Sequence, residues 1–411
     1  MCAEVLVIGA GMIGVATALQ LVRRGHSVCL VDRKEPGQET SSGNAGIVQG
    51  EAMLPFQFPR DLKTLLQTAL RRGVAASYHV NALPRLASPL FRYWLHSSPK
   101  RYEIATRGHS SLMQHALSAH EELLAECGAG SLTQRAGYHH VYRTARALDA
   151  SVAQAEELHQ RFGVRYSMLD RAALANAEPD LVLPLAGAIH WPDTMTVRDP
   201  AALVSAYSTY FLKLGGCFSR GDADSLKREE GAWYLETEDG TVKAEHVVIA
   251  LGPWSCEFVT RFGYRLPLFV KRGYNQHFTG GGKLRVPMLD AERAYVLAPM
   301  EQGIRLTTGA EFALLDAPAT PVQLAQATVA ARELLDLPRV VEHQPWLGNR
   351  PCTPDMLPVL GAAKRFPGLW FNFGHAHQGF TLGPICGRLM AELIEGRQTL
   401  LATKPYEVDR F

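Results

Sequence analysis

"EVLVIGAGMIGVATALQLVRRGHSVCLVDR", Glu4 to Arg33, reads as strand, tight turn, helix and second strand. Val5 to Ile8 are uncharged and aliphatic, as suits a parallel strand buried on both faces. Gly9, Gly11 and Gly14 then supply G-x-G-x-x-G where strand becomes helix, with Ala10, Met12 and Ile13 between them. The first glycine permits the turn, the second lets backbone approach a pyrophosphate, and the third lets helix pack on strand. The phosphates sit at the helix N-terminus, where free N–H groups and the helix dipole favour an anion. Asp32 ends the second strand eighteen residues past Gly14, the place for a ribose-binding acid. Glycines in this pattern can serve a tight turn alone, but strand, helix and acid all agree here. The stretch predicts a dinucleotide site.

Val5 to Val22 is also long and uncharged enough to imitate a membrane span. Its internal glycines and the acidic residue before it oppose that reading, since a signal segment wants a basic start and a small-residue cleavage site. A cytoplasmic protein is expected. The 411 residues suggest two domains or one large one, and 47% hydrophobic with 20% charged residues is ordinary for a globular chain. A net charge of +2 gives no reason to expect nucleic acid as a partner. Seven scattered cysteines without a C-x-x-C pair argue against a zinc cluster, attached haem or a disulfide framework.

The residues after Asp32 separate the candidate dinucleotides. A nicotinamide dehydrogenase would continue its βαβ series directly. Instead comes "ETSSGNAGIVQG", Glu39 to Gly50, small and polar, able to bring hydroxyls and amides against a ligand. The chain then turns helical, with one stripe at Leu62, Leu65, Leu66, Ala69 and Leu70 and another at Ile104, Leu112, Ala116, Ala119 and Leu123. The first unit resumes late. Residues 199–216 read as a helix capped by Asp199 with Pro200 in its first turn, and 245–255 as a buried strand running into glycine. Residues 368–396 give a strand, a glycine-rich loop and a closing helix. Such an interrupted domain suits a flavin better than a nicotinamide. The expected fold combines α/β and α+β parts. A discontinuous Rossmann-like FAD-binding domain takes 1–50, 198–266 and 345–411, and a mixed-sheet plus helical substrate domain takes 51–197 and 267–344.

On these motifs the chain resembles the D-amino-acid dehydrogenase and glycine oxidase family of FAD-dependent amine oxidoreductases. The likeness is strongest at Val5–Arg33, Thr40–Val48, Val247–Trp254, Arg350–Gly361 and Gly374–Gly387. It implies that Gly9, Gly11 and Gly14, with Ala10, Met12 and Ile13, take the pyrophosphate of non-covalent FAD, and that Asp32 and Arg33 lie at the ribose. The family commonly has glutamate where Asp32 stands, so a shorter reach or an intervening water is implied. Ser41, Ser42, Asn44, Ala45, Gly46 and Ile47 match the loop covering the flavin, and Ala223 the main-chain contact to adenine. Gly252 and Trp254 match the motif after the late strand. Gly374, His375, Gln378, Gly379 and Thr381 match the loop along the flavin ring, whose N–H groups would stabilise negative charge there.

Arg350 lies in "WLGNRPCTPDMLPVLG", Trp346 to Gly361, among Pro351, Pro354 and Pro358, which restrict the backbone. A stiff mount suits an arginine that must present its planar fork to an anion. The resemblance makes it the clamp on a substrate carboxylate, with the Tyr295 hydroxyl assisting. His377 stands where glycine oxidases carry a second arginine, which points away from a glycine-like substrate. The bland readings are a solvated arginine and a tyrosine buried for packing. His375 and His377 form H-x-H with no acid or cysteine to complete a metal set, so no metal is expected. His139 and His140 read as ordinary strand residues, and Cys352 does not align with the cysteine that attaches flavin in some relatives.

The implied reaction is oxidative deamination of an amino acid, the α-hydrogen leaving as hydride and the imine hydrolysing to a 2-oxo acid. Three readings stand: a dehydrogenase of D-amino acids or cyclic imino acids passing electrons to a carrier, an oxidase or demethylase of N-substituted glycines using oxygen, and a non-catalytic flavoprotein. Segment 60–107 carries Arg60, Lys63, Arg71, Arg72, Arg85, Arg92, Lys100, Arg101 and Arg107 against Asp61 and Glu103, with Phe91, Tyr93 and Trp94 interleaved. Most such runs are solvated faces. The alternative is docking to a membrane surface or an acidic electron acceptor.

Overall fold

The computed structural model describes residues 2–61, 65 and 76–411. The opening stretch forms strand β1 (Cys2–Ile8), helix α1 (Met12–Val22) and strand β2 (Val28–Asp32). β1 and β2 pair in parallel, and the order continues as Cys217–Arg220, β2, β1 and Gly240–Ile249. Leu369–Phe373 joins the second half of Gly240–Ile249, again in parallel. The first half of that strand turns instead to an antiparallel partner, Ala232–Thr237. Val5 to Ile8 and Val247 to Ile249 are wholly enclosed, as their apolar runs require. The Pro200–Lys213 helix begins as expected, with Asp199 accepting from the Ala202 N–H at 3.0 Å.

Helix α1 is buried along its length except at Ile13, because a second helix covers it. That helix, Gly379–Ile394, reaches α1 through two glycines. A Cβ at Gly383 would lie 2.5 Å from Met12 Cγ, and one at Gly387 would lie 2.7 Å from the carbonyl of Ala16. The long Pro99–Cys127 helix packs outside it, burying Leu112, Ala116, Ala119 and Leu123. Ile104, expected on the same stripe, is 61% exposed, because Ala105, one heptad before Leu112, takes the buried position instead. The stripe expected at Leu62 to Leu70 falls, apart from Leu65, outside the described residues.

A second sheet has eleven described strands, ordered Ala76–Tyr78, Ala310–Phe312, Phe269–Thr279, Gly303–Thr307, Tyr295–Met300, Met288–Asp290, Tyr138–Tyr142, Gly187–Trp191 and Ser167–Asp170, with Arg339–Val340 and Trp346–Cys352 beside Phe269–Thr279. The boundary expected at 345 is not where the sheets divide. Trp346–Cys352 pairs residue for residue with Phe269–Asn275, so Arg350 stands on the second sheet opposite Lys271. Its mount is a strand, and the proline-rich turn comes only after it. Among the described residues no helix is long and apolar enough to cross a membrane. Arg60, Arg85, Arg92, Lys100, Arg101 and Arg107 are exposed, and Arg60 lies over the Trp94 ring at 4.2 Å.

Candidate active site

A cavity of about 1450 Å³ runs between the two sheets, larger than the about 300–1,000 Å³ common for a single small ligand. One end is the glycine turn. Gly9 has φ +108°, and a Cβ there would lie 2.4 Å from the Ala250 oxygen. A Cβ on Gly14 would fall 1.7 Å from the Gly9 oxygen, so helix and turn touch through that glycine. Gly11, Met12 and Ile13 line the cavity at the start of α1, and the Ser41 hydroxyl accepts from the Met12 N–H at 3.0 Å. Asp32 lines it too, accepting from the Ala10 N–H at 2.6 Å and the Lys34 N–H at 3.1 Å. Burial pushes its carboxyl upward against those two hydrogen bonds. Arg33 stacks over Trp254 at 4.3 Å, and Ala223 and Gly252 complete this end. Gly252, at φ +55°, has nothing within 4 Å of the place a Cβ would take, leaving open space beside the backbone.

Beyond the turn, Asn44, Ala45 and Ile47 face Gly374, His375, His377 and Gly379 across the cavity. Arg305 holds the first loop by donating to the carbonyls of Ser42 and Asn44, and Asn275 donates to the Gly43 carbonyl at 3.0 Å. Thr381 donates to the Ile47 carbonyl at 3.4 Å. A buried chain supports the second loop. Thr194 and Gln49 donate to the Glu51 carboxylate, both at 2.6 Å, and Gln378 donates to Gln49 at 2.8 Å. The same Gln378 amide lies 3.0 Å from His377 Nε2, which acts as acceptor on a neutral ring. Burial, with Lys271, His109 and Arg350 nearby, pushes His377 well below the ordinary imidazole range. His375 is buried with Nε2 lacking a partner among the described residues. Ala10, Gly14, Ser42, Gly46, Gln378 and Thr381 brace the walls without lining the cavity.

At the far end Arg350 donates to the carbonyls of Gly309 at 2.9 Å and Thr308 at 3.3 Å. Its guanidinium lies over Gly273, where a Cβ would meet Nη2 at 2.5 Å. Lys271 donates to the Tyr93 hydroxyl at 3.0 Å and lies 4.4 Å from that ring's centre. Burial lowers the proton affinity of both Arg350 and Lys271. Tyr295 also lines the cavity, but its hydroxyl makes no hydrogen bond to Arg350 or Lys271. Successive strand side chains point to opposite faces, and Tyr295 packs with Tyr274, Leu297 and Leu306 in the core behind the sheet. Its hydroxyl is buried near Arg143 and Asp290. Val296 beside it lines the cavity as well. Lys271, Tyr93, Gly273, Asn275 and Arg305 were not anticipated. The alternation Lys271, Gly273, Asn275 against Arg272, Tyr274 was the available signal.

These features fit FAD: a glycine cradle open to an anion, an acid at ribose distance and orphaned polar atoms along a second loop. A family model described as FAD dependent oxidoreductase (DAO) matches residues 4–393. The chain is 31% identical over 429 residues to a D-amino acid dehydrogenase from Paramagnetospirillum magneticum, covering 99% of each. It is 28% identical over 425 residues to a D-amino-acid oxidase from Bradyrhizobium diazoefficiens, again covering 99% of each. Its fold resembles glycine oxidase from Geobacillus kaustophilus with a TM-score of 0.75, at 23% identity and covering 100% and 99% of the two chains.

Proposed function

Because the chain belongs to the DAO family of FAD-dependent oxidoreductases acting on C–N bonds, we propose that it deaminates a D-amino acid or a cyclic imino acid. Gly9 to Gly14 would hold the pyrophosphate, Asp32 and Arg33 the ribose and Ala223 the adenine. The Ser41–Ile47 loop, Gly252, Trp254 and the Gly374–Thr381 loop would enclose the ring. FAD, when bound, supplies the acceptor for the two electrons and the α-hydrogen that leave as the substrate's C–N bond becomes an imine, which water converts to a 2-oxo acid.

The observation that carries the reading is Arg350. It is a cation inside a cavity, bonded only to two main-chain carbonyls and lacking an acidic partner among the described residues. A half-buried cation without a counter-ion carries a desolvation cost, and a substrate carboxylate removes that cost while fixing the α-carbon's orientation. Arg350 and Lys271 together also disfavour an ammonium beside them, which promotes the free amine that loss of hydride requires. His377, held neutral, adds a flat wall against Phe56 at 4.3 Å between ring centres rather than a second charge. The exposed cations around the Leu83–His96 helix support a lesser reading, docking to an anionic membrane surface, which salt-sensitive liposome binding would test.

Anaerobic mixing with a panel of D-amino acids, D-proline, sarcosine and glycine tests the proposal. Bleaching of the flavin by D-amino or imino acids, ahead of the glycines, is expected. Faster bleaching by sarcosine or glycine would favour the N-substituted-glycine reading, and a flavin that none of them reduces would leave a non-catalytic flavoprotein.

A further inference from the structure

We propose that Lys271 is a specificity-determining residue that reads a second acidic group on the substrate, so that the preferred substrates are amino acids with a carboxylate side chain. The inference rests on the reading of Arg350 as the clamp on the α-carboxylate. Lys271 and Arg350 are directly opposed on neighbouring antiparallel strands and share one face of the sheet. Both line the cavity.

The strand that carries Lys271 displays two treatments of a cation. Arg272, on the opposite face, is fully enclosed and compensated by Glu311, the Tyr274 hydroxyl and the carbonyls of Ala317 and Pro318. Among the described residues, the Lys271 ammonium contacts the Tyr93 hydroxyl and the rings of Tyr93, Phe269 and Phe312, with the Arg350 cation on the neighbouring strand. No carboxylate among the described residues forms an ion pair with Lys271 or Arg350, and residues 62–64 and 66–75 contain no Asp or Glu that could do so. The acids that line the cavity, Asp32, Glu39, Asp222, Asp224 and Glu257, belong with the glycine turn, Arg33 and Arg261 at the other end.

Charge balance then decides the class of occupant. One α-carboxylate offsets one cation and leaves the second uncompensated in a poorly solvated space. A second carboxylate closes the balance. The rings of Tyr93 and Phe312, which line the cavity beside the Lys271 ammonium, suit the methylenes of a short acidic side chain. Mutual repulsion with Arg350, added to burial, already weakens the proton's hold on Lys271, and an anion beside it would restore that hold.

Isosteric pairs test this in the FAD-loaded enzyme: glutamate against glutamine and aspartate against asparagine, each as both enantiomers, by anaerobic flavin reduction. The acidic member of the preferred enantiomer is expected to lead by about tenfold or more in kcat/KM. Lys271→Gln is expected to bring that ratio towards one, mainly through a loss for the acidic member that matches its wild-type lead, about tenfold or more, and Lys271→Arg to retain part of the preference. The flavin spectrum of each variant reports that the site is intact. If wild type treats the paired amino acids alike, or if Lys271→Gln slows both members equally, as loss of a proton acceptor would, the inference is overturned. If no amino acid reduces the flavin, the clamp reading itself fails, a distinct result.

Discussion

At Arg350 the proposed carboxylate clamp can be tested apart from cofactor binding by changing one side chain. Arg350→Ala should keep FAD, because the arginine lies at the far end of the cavity from the glycine turn, yet flavin reduction should collapse. Removing one partner of a buried charge pair costs about 3–5 kcal/mol, about two to four powers of ten in kcat/KM. Arg350→Lys should recover part of this, keeping charge but losing the two-pronged geometry. Stopped-flow reduction with an amino acid and with its decarboxylated amine decides the matter, since equal losses on both would make Arg350 a structural group. Gly273→Ala places a methyl where the guanidinium now lies. It should raise KM by about ten- to a hundredfold, equivalent to about 1–3 kcal/mol of overpacking, with the flavin spectrum unchanged. An unaltered KM would show that the guanidinium has room to move. That Arg350 lines the cavity was legible because its setting, among glycine and prolines near a motif, is unlike that of a solvated arginine. The setting of the Tyr295 ring was not, because which face of the Tyr295–Met300 strand it takes is fixed by partners distant in sequence. Lys271 was hidden by standing next to Arg272, so that two residues with opposite fates looked like one basic pair.

The contact between α1 and the Gly379–Ile394 helix sets the position of the glycine turn. A Cβ on Gly387 would press on the backbone of Ala16 and Thr17, whereas one on Gly383 would meet mainly the flexible Met12 side chain. Gly387→Ala should therefore destabilise by about 1–3 kcal/mol and weaken FAD retention, and Gly383→Ala should do less of both. Thermal melts and FAD release on dilution measure this, and a reversed order would mean that the helices slide apart without moving the turn. The strand–turn–helix–strand unit was readable because its glycines, aliphatic run and acid each answer a local demand. The proline-rich mount of Arg350 proved to be a strand, since pairing beside Phe269–Thr279 decides it and local propensity does not.

Across the whole molecule, burial holds His109, His120 and His139 at about 4 and His140 and His375 at about 3. Unfolding returns each to about 6.5. Between those values the unfolded chain binds more protons, so stability is full above about pH 6.5 and falls as pH drops, by about 1.4 kcal/mol per unit for each histidine. Asp32, Glu51 and Glu178, whose carboxyls burial pushes up, work in the opposite sense but are three groups against five. The Tm should fall clearly between pH 7.5 and 5.5, and a level Tm over that range would refute the prediction. The parallel sheet itself has a consequence in time. β1 and α1 leave the ribosome long before the strand and helix that complete their surroundings, residues 369–394. A nascent chain carries the pyrophosphate turn well before it has the opposing loop, so FAD can be captured firmly only after synthesis has passed residue 394. Until then the cell must shelter an apolar helix, α1, that still lacks its chief partner.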